Sequence, residues 1–172
     1  MIPSTKPPLK VLILCTGNSA RSILGECLLR SIGRGRFETF SGGSNPTGRV
    51  NPLAVRVLNE KFNLDASAAR SKSWDEFKGV KFDVVITVCD NVREACPVWP
   101  GQPVLAHWGS PDPAAAEGTE EQKYWVFVQV ASQIARRAQL LCALPEAKLL
   151  EGLAVREIGE QAQLEKEAET KK

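Results

Sequence analysis

Cys15 and Arg21 bracket a short polar bend, Thr16-Gly17-Asn18-Ser19-Ala20, and this Cys-x5-Arg loop is the part of the chain best equipped for chemistry. The bend falls where an apolar strand pattern (Lys10-Val11-Leu12-Ile13-Leu14) gives way to a helical one (Ser22-Ile23-Leu24-Gly25-Glu26-Cys27-Leu28-Leu29). A loop wrapped around one point there aims its backbone N–H groups, and the positive end of the next helix, at an anion. The same field favours thiolate over thiol at Cys15, making it a nucleophile. Arg21 can hold two oxygens of a tetrahedral oxyanion in its planar fork. Gly17 and Asn18 suit the positive φ values that such a wrap needs. The plainer alternative is a βα turn capped by Ser19 over a buried cysteine. Cysteine and arginine at this spacing are common, so the strand before and the helix after give the signal its weight.

Two more cysteines share a segment, Cys89-Asp-Asn-Val-Arg-Glu-Ala-Cys96-Pro97. On a helix their separation is about 10 Å along the axis, whereas a disulfide needs Cα atoms within about 7 Å. A Cys89–Cys96 bond therefore requires this segment to unwind. Asp90 and Asn91 are poor helix-interior residues and Pro97 stops a helix, so the segment reads as marginally helical. Read alone, the pair is equally two unrelated core thiols. Trp108-Gly109-Ser110-Pro111-Asp112-Pro113 is a Pro-braced loop carrying one carboxylate, Asp112, suited to protonating a departing oxygen. His107 is the only histidine and reads as a structural residue beside Trp108. Cys27 and Cys142 read as core residues.

The elements that must position these groups alternate. Strands are expected at Val11–Leu14, Phe37–Phe40, Asp83–Val88 and Pro103–Ala106. Helices are expected at Ala20–Ile32, from Asn51-Pro52 onward, and from about Glu120 to Leu141. Near-continuous apolar strands between helices imply an α/β fold with a parallel sheet covered on both faces, whose working site lies at the carboxyl ends of the strands. Cys15 follows the first strand and Cys89 the third, so both belong to one edge. The 172 residues read as a flexible Pro-rich lead (1–9), one catalytic domain (10–144) and a helical or disordered tail (145–172). The net charge of +2 comes with no basic stripe and no membrane-length apolar run, so no nucleic-acid or membrane partner is expected. Five cysteines without a signal-peptide core point to reduced thiols in a cytoplasmic setting. No metal-ligand cluster is evident.

Together, the Cys15–Ser22 loop, the Cys89/Cys96 pair before Pro97 and the His107-Trp108-Gly109-x-x-Asp112-Pro113 run resemble the arsenate reductases built on the low-molecular-weight tyrosine-phosphatase fold. The resemblance spans roughly Lys10 to Leu144 and implies a four-stranded parallel sheet with helices on both sides. It further implies that Thr16, Gly17, Asn18, Ser19, Ala20, Arg21 and Ser22 bind arsenate, with phosphate or sulfate as competing oxyanions. Asn18 would hold the loop shape and Ser22 would hydrogen-bond the Cys15 sulfur. Cys15, Cys89 and Cys96 would pass oxidation outward in turn, Asp112 would protonate the leaving hydroxide, and thioredoxin or a glutathione–glutaredoxin system would restore the thiols. Where relatives often carry another cysteine before the arginine, this chain has Ala20. Some members bind potassium at positions matching Asn18, Glu26 and Ser41, but the acidic partner corresponds to Lys72, so potassium is not expected as a cofactor.

Two rivals share parts of this set. A phosphotyrosine phosphatase needs the loop and Asp112 but no second or third thiol, and typically has aromatic residues where Asp112-Pro113 here runs into Ala114-Ala115-Ala116. A non-enzymatic oxyanion or redox sensor would use Cys89–Cys96 as a switch and has no need of Asp112 with Arg21.

Overall fold

The computed structural model describes residues 6–160; the expected lead over 1–9 and tail over 145–172 therefore lie partly outside the described residues. Four parallel strands, β1 (Leu9–Cys15), β2 (Phe37–Gly43), β3 (Val84–Thr87) and β4 (Val104–His107), form one sheet in the order β2-β1-β3-β4. Helices join or follow them: α1 (Arg21–Gly33), α2 (Pro52–Phe62), α3 (Asp90–Ala95), α4 (Glu120–Ala143) and α5 (Glu146–Glu151). The chain leaves β1 toward one side of the sheet and later returns to β3 on the other. The crevice outside the carboxyl ends of β1 and β3 is thus the switch point at which open α/β sheets bind ligands.

Both faces of the sheet are covered, for reasons visible in β1. Its apolar run Val11–Leu14 is almost solvent-free, as expected of a strand buried on two sides. Ile13 points at α1, where a Cβ on Gly25 would lie 3.0 Å from the Ile13 Cδ1. Leu12 and Leu14 pair with Phe40 and Gly42 of β2 and share the opposite face. There Phe40 meets Phe77 and Phe82 edge-on, with ring centroids 5.6 and 5.5 Å apart. On the α1 side, Leu24 and Leu28 join Val57 and Leu58 of α2 and Phe127, Ala131 and Ile134 of α4 in a second buried cluster.

Local signals fix the helix ends. Asn51 caps α2, its side chain accepting from the Leu53 N–H at 2.9 Å, and Asn63 ends it in the left-handed region (φ 53°). Thr119 and Gln122 form a capping box at the start of α4. After α5, residues 153–160 are helical again and pack on the body. Leu149 and Val155 are fully buried, Val155 O accepts from the Trp108 indole N–H at 3.1 Å, and Arg156 Nε donates to Leu105 O of β4 at 3.0 Å. Among the described residues no helix is long and apolar enough to cross a membrane.

Candidate active site

The loop after β1 wraps as its composition suggests, and its neighbours show how. Its carbonyls are tied outward: Cys15 O, Thr16 O, Gly17 O and Ser19 O accept from the backbone N–H groups of Ser44, Asn45, Thr47 and Asn51 at 3.3, 2.9, 3.0 and 2.8 Å. Peptide groups held by their oxygens on the outside turn their N–H groups inward, which makes an anion cradle. Asn18 adopts the expected left-handed conformation (φ 44°). Gly17 does not; smallness is what matters there, since an added Cβ would lie 3.2 Å from the Thr47 methyl. Ala20 occupies the N-cap of α1 and offers no side-chain acceptor, so Ser19 does not cap the helix and its first N–H groups stay available to an anion.

Cys15 lies at the floor of this cradle, buried, with two groups on its sulfur. The Asn18 N–H donates to it at 3.2 Å, and Ser22 Oγ stands 2.8 Å away. Ser22 Oγ already accepts from Asn18 Nδ2 at 2.8 Å, which directs its own proton to the sulfur. Asn18 is itself gripped on both sides: Nδ2 also donates to Ser41 Oγ at 3.0 Å, and Oδ1 accepts from the Lys72 N–H at 2.9 Å. Behind Ser41 lies a buried ion pair. Lys72 Nζ donates to Ser41 Oγ at 3.0 Å, Glu26 Oε2 at 3.3 Å and Arg70 O at 3.1 Å, while Ser41 also donates to Glu26. The nucleophile is thus braced through Ser22, Asn18 and Ser41 back to Lys72.

Arg21 and Asp112 close the cradle. Arg21 Nη1 donates to Ser110 O at 2.9 Å, and Nη2 lies 3.8 Å from Asp112 Oδ2. The other Asp112 oxygen accepts from the Ala114 N–H at 3.0 Å, so the carboxylate is fixed but nearly half exposed. Arg137, buried in α4, holds the carrier loop from beneath by donating to Trp108 O at 2.8 Å, Gly109 O at 3.1 Å and Ser110 Oγ at 3.1 Å.

Cys89 stands at the same rim. Its sulfur is 3.3 Å from Thr16 Oγ1, the residue next to Cys15, and both cysteines line one cavity of about 570 Å³ with Arg21 and Asp112. Cys96 is elsewhere. The intervening α3 keeps it away from that cavity, and it lines another of about 330 Å³ with Arg93 and His107. Burial raises the Cys96 pKa, while the indole N–H of Trp99, which meets no acceptor at hydrogen-bonding geometry, faces the sulfur and pulls the other way. Cys27 is pushed up to about 11 by burial and then by the Glu26 charge, and Cys142 is raised by burial. Neither lines the rim cavity.

Three contacts here have no counterpart in the sequence reading. Thr16 touches Cys89, and His107 bonds Thr87 and Asp90 instead of merely filling space beside Trp108. The available signal was Asp90 itself, a carboxylate directly after a cysteine in a segment short of helix formers.

A family model described as low molecular weight phosphotyrosine protein phosphatase matches residues 10–151. An arsenate reductase of Halalkalibacterium halodurans is 37% identical over 127 residues, covering 74% of this chain and 90% of the relative. Among solved structures, an arsenate reductase from Archaeoglobus fulgidus superposes with a TM-score of 0.62 at 28% identity, covering 78% of this chain and 99% of that one. A low molecular weight protein tyrosine phosphatase from T. tengcongensis gives 0.61 at 20% identity over 84% and 97% of the two chains, a likeness of fold alone.

Proposed function

The chain belongs to the low molecular weight phosphotyrosine protein phosphatase family, and from that premise we propose that it reduces arsenate to arsenite through Cys15, Cys89 and Cys96. The observation that carries this reading is the Cys89 sulfur at the mouth of the Cys15 cradle, 3.3 Å from Thr16 Oγ1. A phosphatase, whose covalent intermediate is cleaved by water, has no use for a thiol there.

In this mechanism arsenate binds to the inward N–H groups and the Arg21 fork, which leaves Ser110 O for the substrate. The Cys15 thiolate attacks arsenic, a sulfur–arsenic bond forms, and one arsenic–oxygen bond breaks as Asp112 protonates the departing hydroxide to water. Cys89 as thiolate then attacks the Cys15 sulfur. The electron pair of the sulfur–arsenic bond stays on arsenic, which leaves as arsenite, and a Cys15–Cys89 disulfide remains. Cys96 attacks Cys89 next, frees the Cys15 thiolate and forms Cys89–Cys96. That last bond requires α3 to unwind, since its length of helix holds the two Cα atoms about 10 Å apart. A six-residue helix whose N-cap, Cys89, supplies no side-chain cap is poorly defended against such a change. An external dithiol of the thioredoxin type opens the final disulfide, a cycle suited to the reducing cytoplasm.

Lys72 stands where the resemblance implies an acidic partner for potassium in some members. Its ammonium already takes up Ser41 and Glu26 oxygens, so these residues do not fit the cation, and turnover proceeds without it.

Wild type, Cys89→Ser and Cys96→Ser, assayed for arsenate-dependent thiol oxidation under limiting reductant, test the reading. Loss of turnover in both variants is expected. Steady hydrolysis of p-nitrophenyl phosphate by all three proteins, with no arsenate-dependent oxidation, identifies a phosphatase; inactivity of the wild type on both substrates identifies a sensor.

A further inference from the structure

His107 is tied at both ring nitrogens to residues that flank Cys89. Nδ1 lies 2.8 Å from Thr87 Oγ1, the last residue of β3, and Nε2 lies 2.9 Å from Asp90 Oδ1, the first residue of α3. Between these anchors the backbone turns the corner from strand to helix, with Val88 buried and Cys89 in extended conformation (φ −131°, ψ 151°). The ring thus spans the corner as a clasp. Its own backbone is fixed, because His107 pairs with Thr87 in the sheet and Gly159 presses on it so closely that an added Cβ would lie 2.1 Å from His107 O.

The polarity of the clasp follows from its partners. Asp90 accepts, so Nε2 carries the proton; Nδ1 is then free to accept from the Thr87 hydroxyl. Burial pushes the ring below its ordinary pKa, with the Arg93 and Arg137 charges adding to this and Asp90 opposing it, which favours that neutral form. Asp90 is solvent-exposed, so the contact adds little to global stability. Its effect falls on local geometry, at the corner where Thr16 also meets the Cys89 sulfur.

We propose that His107 is a positioning residue for the second thiol, clasping Thr87 to Asp90 so that Cys89 is presented to Cys15. The role rests on the reduction reading above and adds a residue to it. It separates from the chemistry at Cys15, because phosphate-ester hydrolysis uses only the cradle, Arg21 and Asp112.

His107→Ala, Asp90→Ala and the double variant, all with Cys96→Ser, provide the test. Three quantities are measured: p-nitrophenyl phosphate hydrolysis, the rate of Cys15–Cys89 disulfide formation with one equivalent of arsenate, and Cys89 alkylation in the reduced protein by peptide mapping. Each single variant should keep hydrolysis within about twofold and form the disulfide about 3- to 10-fold more slowly, the span of one ordinary hydrogen bond. Cys89 should alkylate faster, and the double variant should be no worse than either single one, as for two residues acting through one contact. His107→Gln, whose amide can donate to Asp90 and accept from Thr87, should recover most of the rate. Equal losses in hydrolysis and disulfide formation overturn the proposal, as do additive losses in the double variant. If the protein with His107 intact forms no Cys15–Cys89 disulfide, the reduction reading fails; the clasp then stands if alkylation rises in both single variants without further gain in the double, and falls if alkylation is unchanged.

Discussion

Replacing Lys72 by methionine removes an ammonium while keeping an unbranched chain of similar length. In the native protein the Lys72 side chain is 6% exposed and that of Glu26 12%, with 3.3 Å between their charges. Removing one partner of a buried pair costs about 3–5 kcal/mol, because the remaining charge is left in a poor solvent. Here the lower end applies, since Arg30 Nη2 still reaches the other Glu26 oxygen at 2.7 Å from a more exposed position. About 3 kcal/mol in a chain of this size lowers Tm by roughly 6–12 °C. The loss also reaches the nucleophile at one remove, because Ser41 Oγ loses the Lys72 ammonium as a donor, while Asn18 keeps the Lys72 backbone N–H. Thermal melts of wild type and Lys72→Met, each in potassium chloride and sodium chloride at equal ionic strength, measure the effect. Wild type should melt and turn over identically in the two salts, and the variant should melt lower in both. A Tm within 1 °C of wild type, or a clear rise in wild-type turnover with potassium, would refute the assignment of Lys72 as the built-in cation.

Gly43→Ala should damage the cradle directly. An added Cβ would lie 2.5 Å from Thr16 O and 3.0 Å from the Asn18 nitrogen, so the loop must move at a cost of about 1–3 kcal/mol; arsenate reduction and phosphate-ester hydrolysis should fall together, and loss of only one would contradict the shared cradle. The single imidazole can be titrated by NMR without assignment, and its midpoint should lie below the ordinary histidine value of 6.5. Because the folded value is depressed, the unfolded chain binds more protons as pH falls from that ordinary value toward the folded one, and stability decreases across this interval; a midpoint at or above 6.5 would remove burial as the governing influence. Peptide mapping after iodoacetamide treatment at pH 8 should find Cys27 almost unmodified, since a pKa of about 11 leaves about one thiol in a thousand ionised; alkylation at the rate of a free cysteine would contradict this.

The four strands, three of the helices and the common rim of Cys15 and Cys89 were legible because each rests on local patterning. An apolar run of strand length, a Pro at the first position of α2 and a polar bend between two periodicities are properties of neighbouring residues. Asn18 belongs with them, as a left-handed turn residue. What escaped depends on residues distant in the chain. Lys72 was set beside Asn18, Glu26 and Ser41 by the family resemblance alone; nothing near it in the chain marks it as buried, because Glu26 and Ser41 arrive from α1 and β2. Gly17 invited a conformational reading, yet the constraint upon it is the Thr47 methyl from another loop. The segment after Leu144 read as a helical or disordered tail with no seat assigned, and its described part proves to lie against the outer strand and Trp108.

That seat bears on how the protein keeps to itself. β4 is the outermost rail of the sheet on its side, four residues long and bonded on only one flank, and such a rail invites strands from other molecules to add on. Arg156 takes the Leu105 carbonyl, and Gly159 brings backbone against that of His107 so tightly that no side chain fits between. The C-terminal turns therefore act as a selvedge, finishing the hem at which the molecule would otherwise knit onto its neighbours.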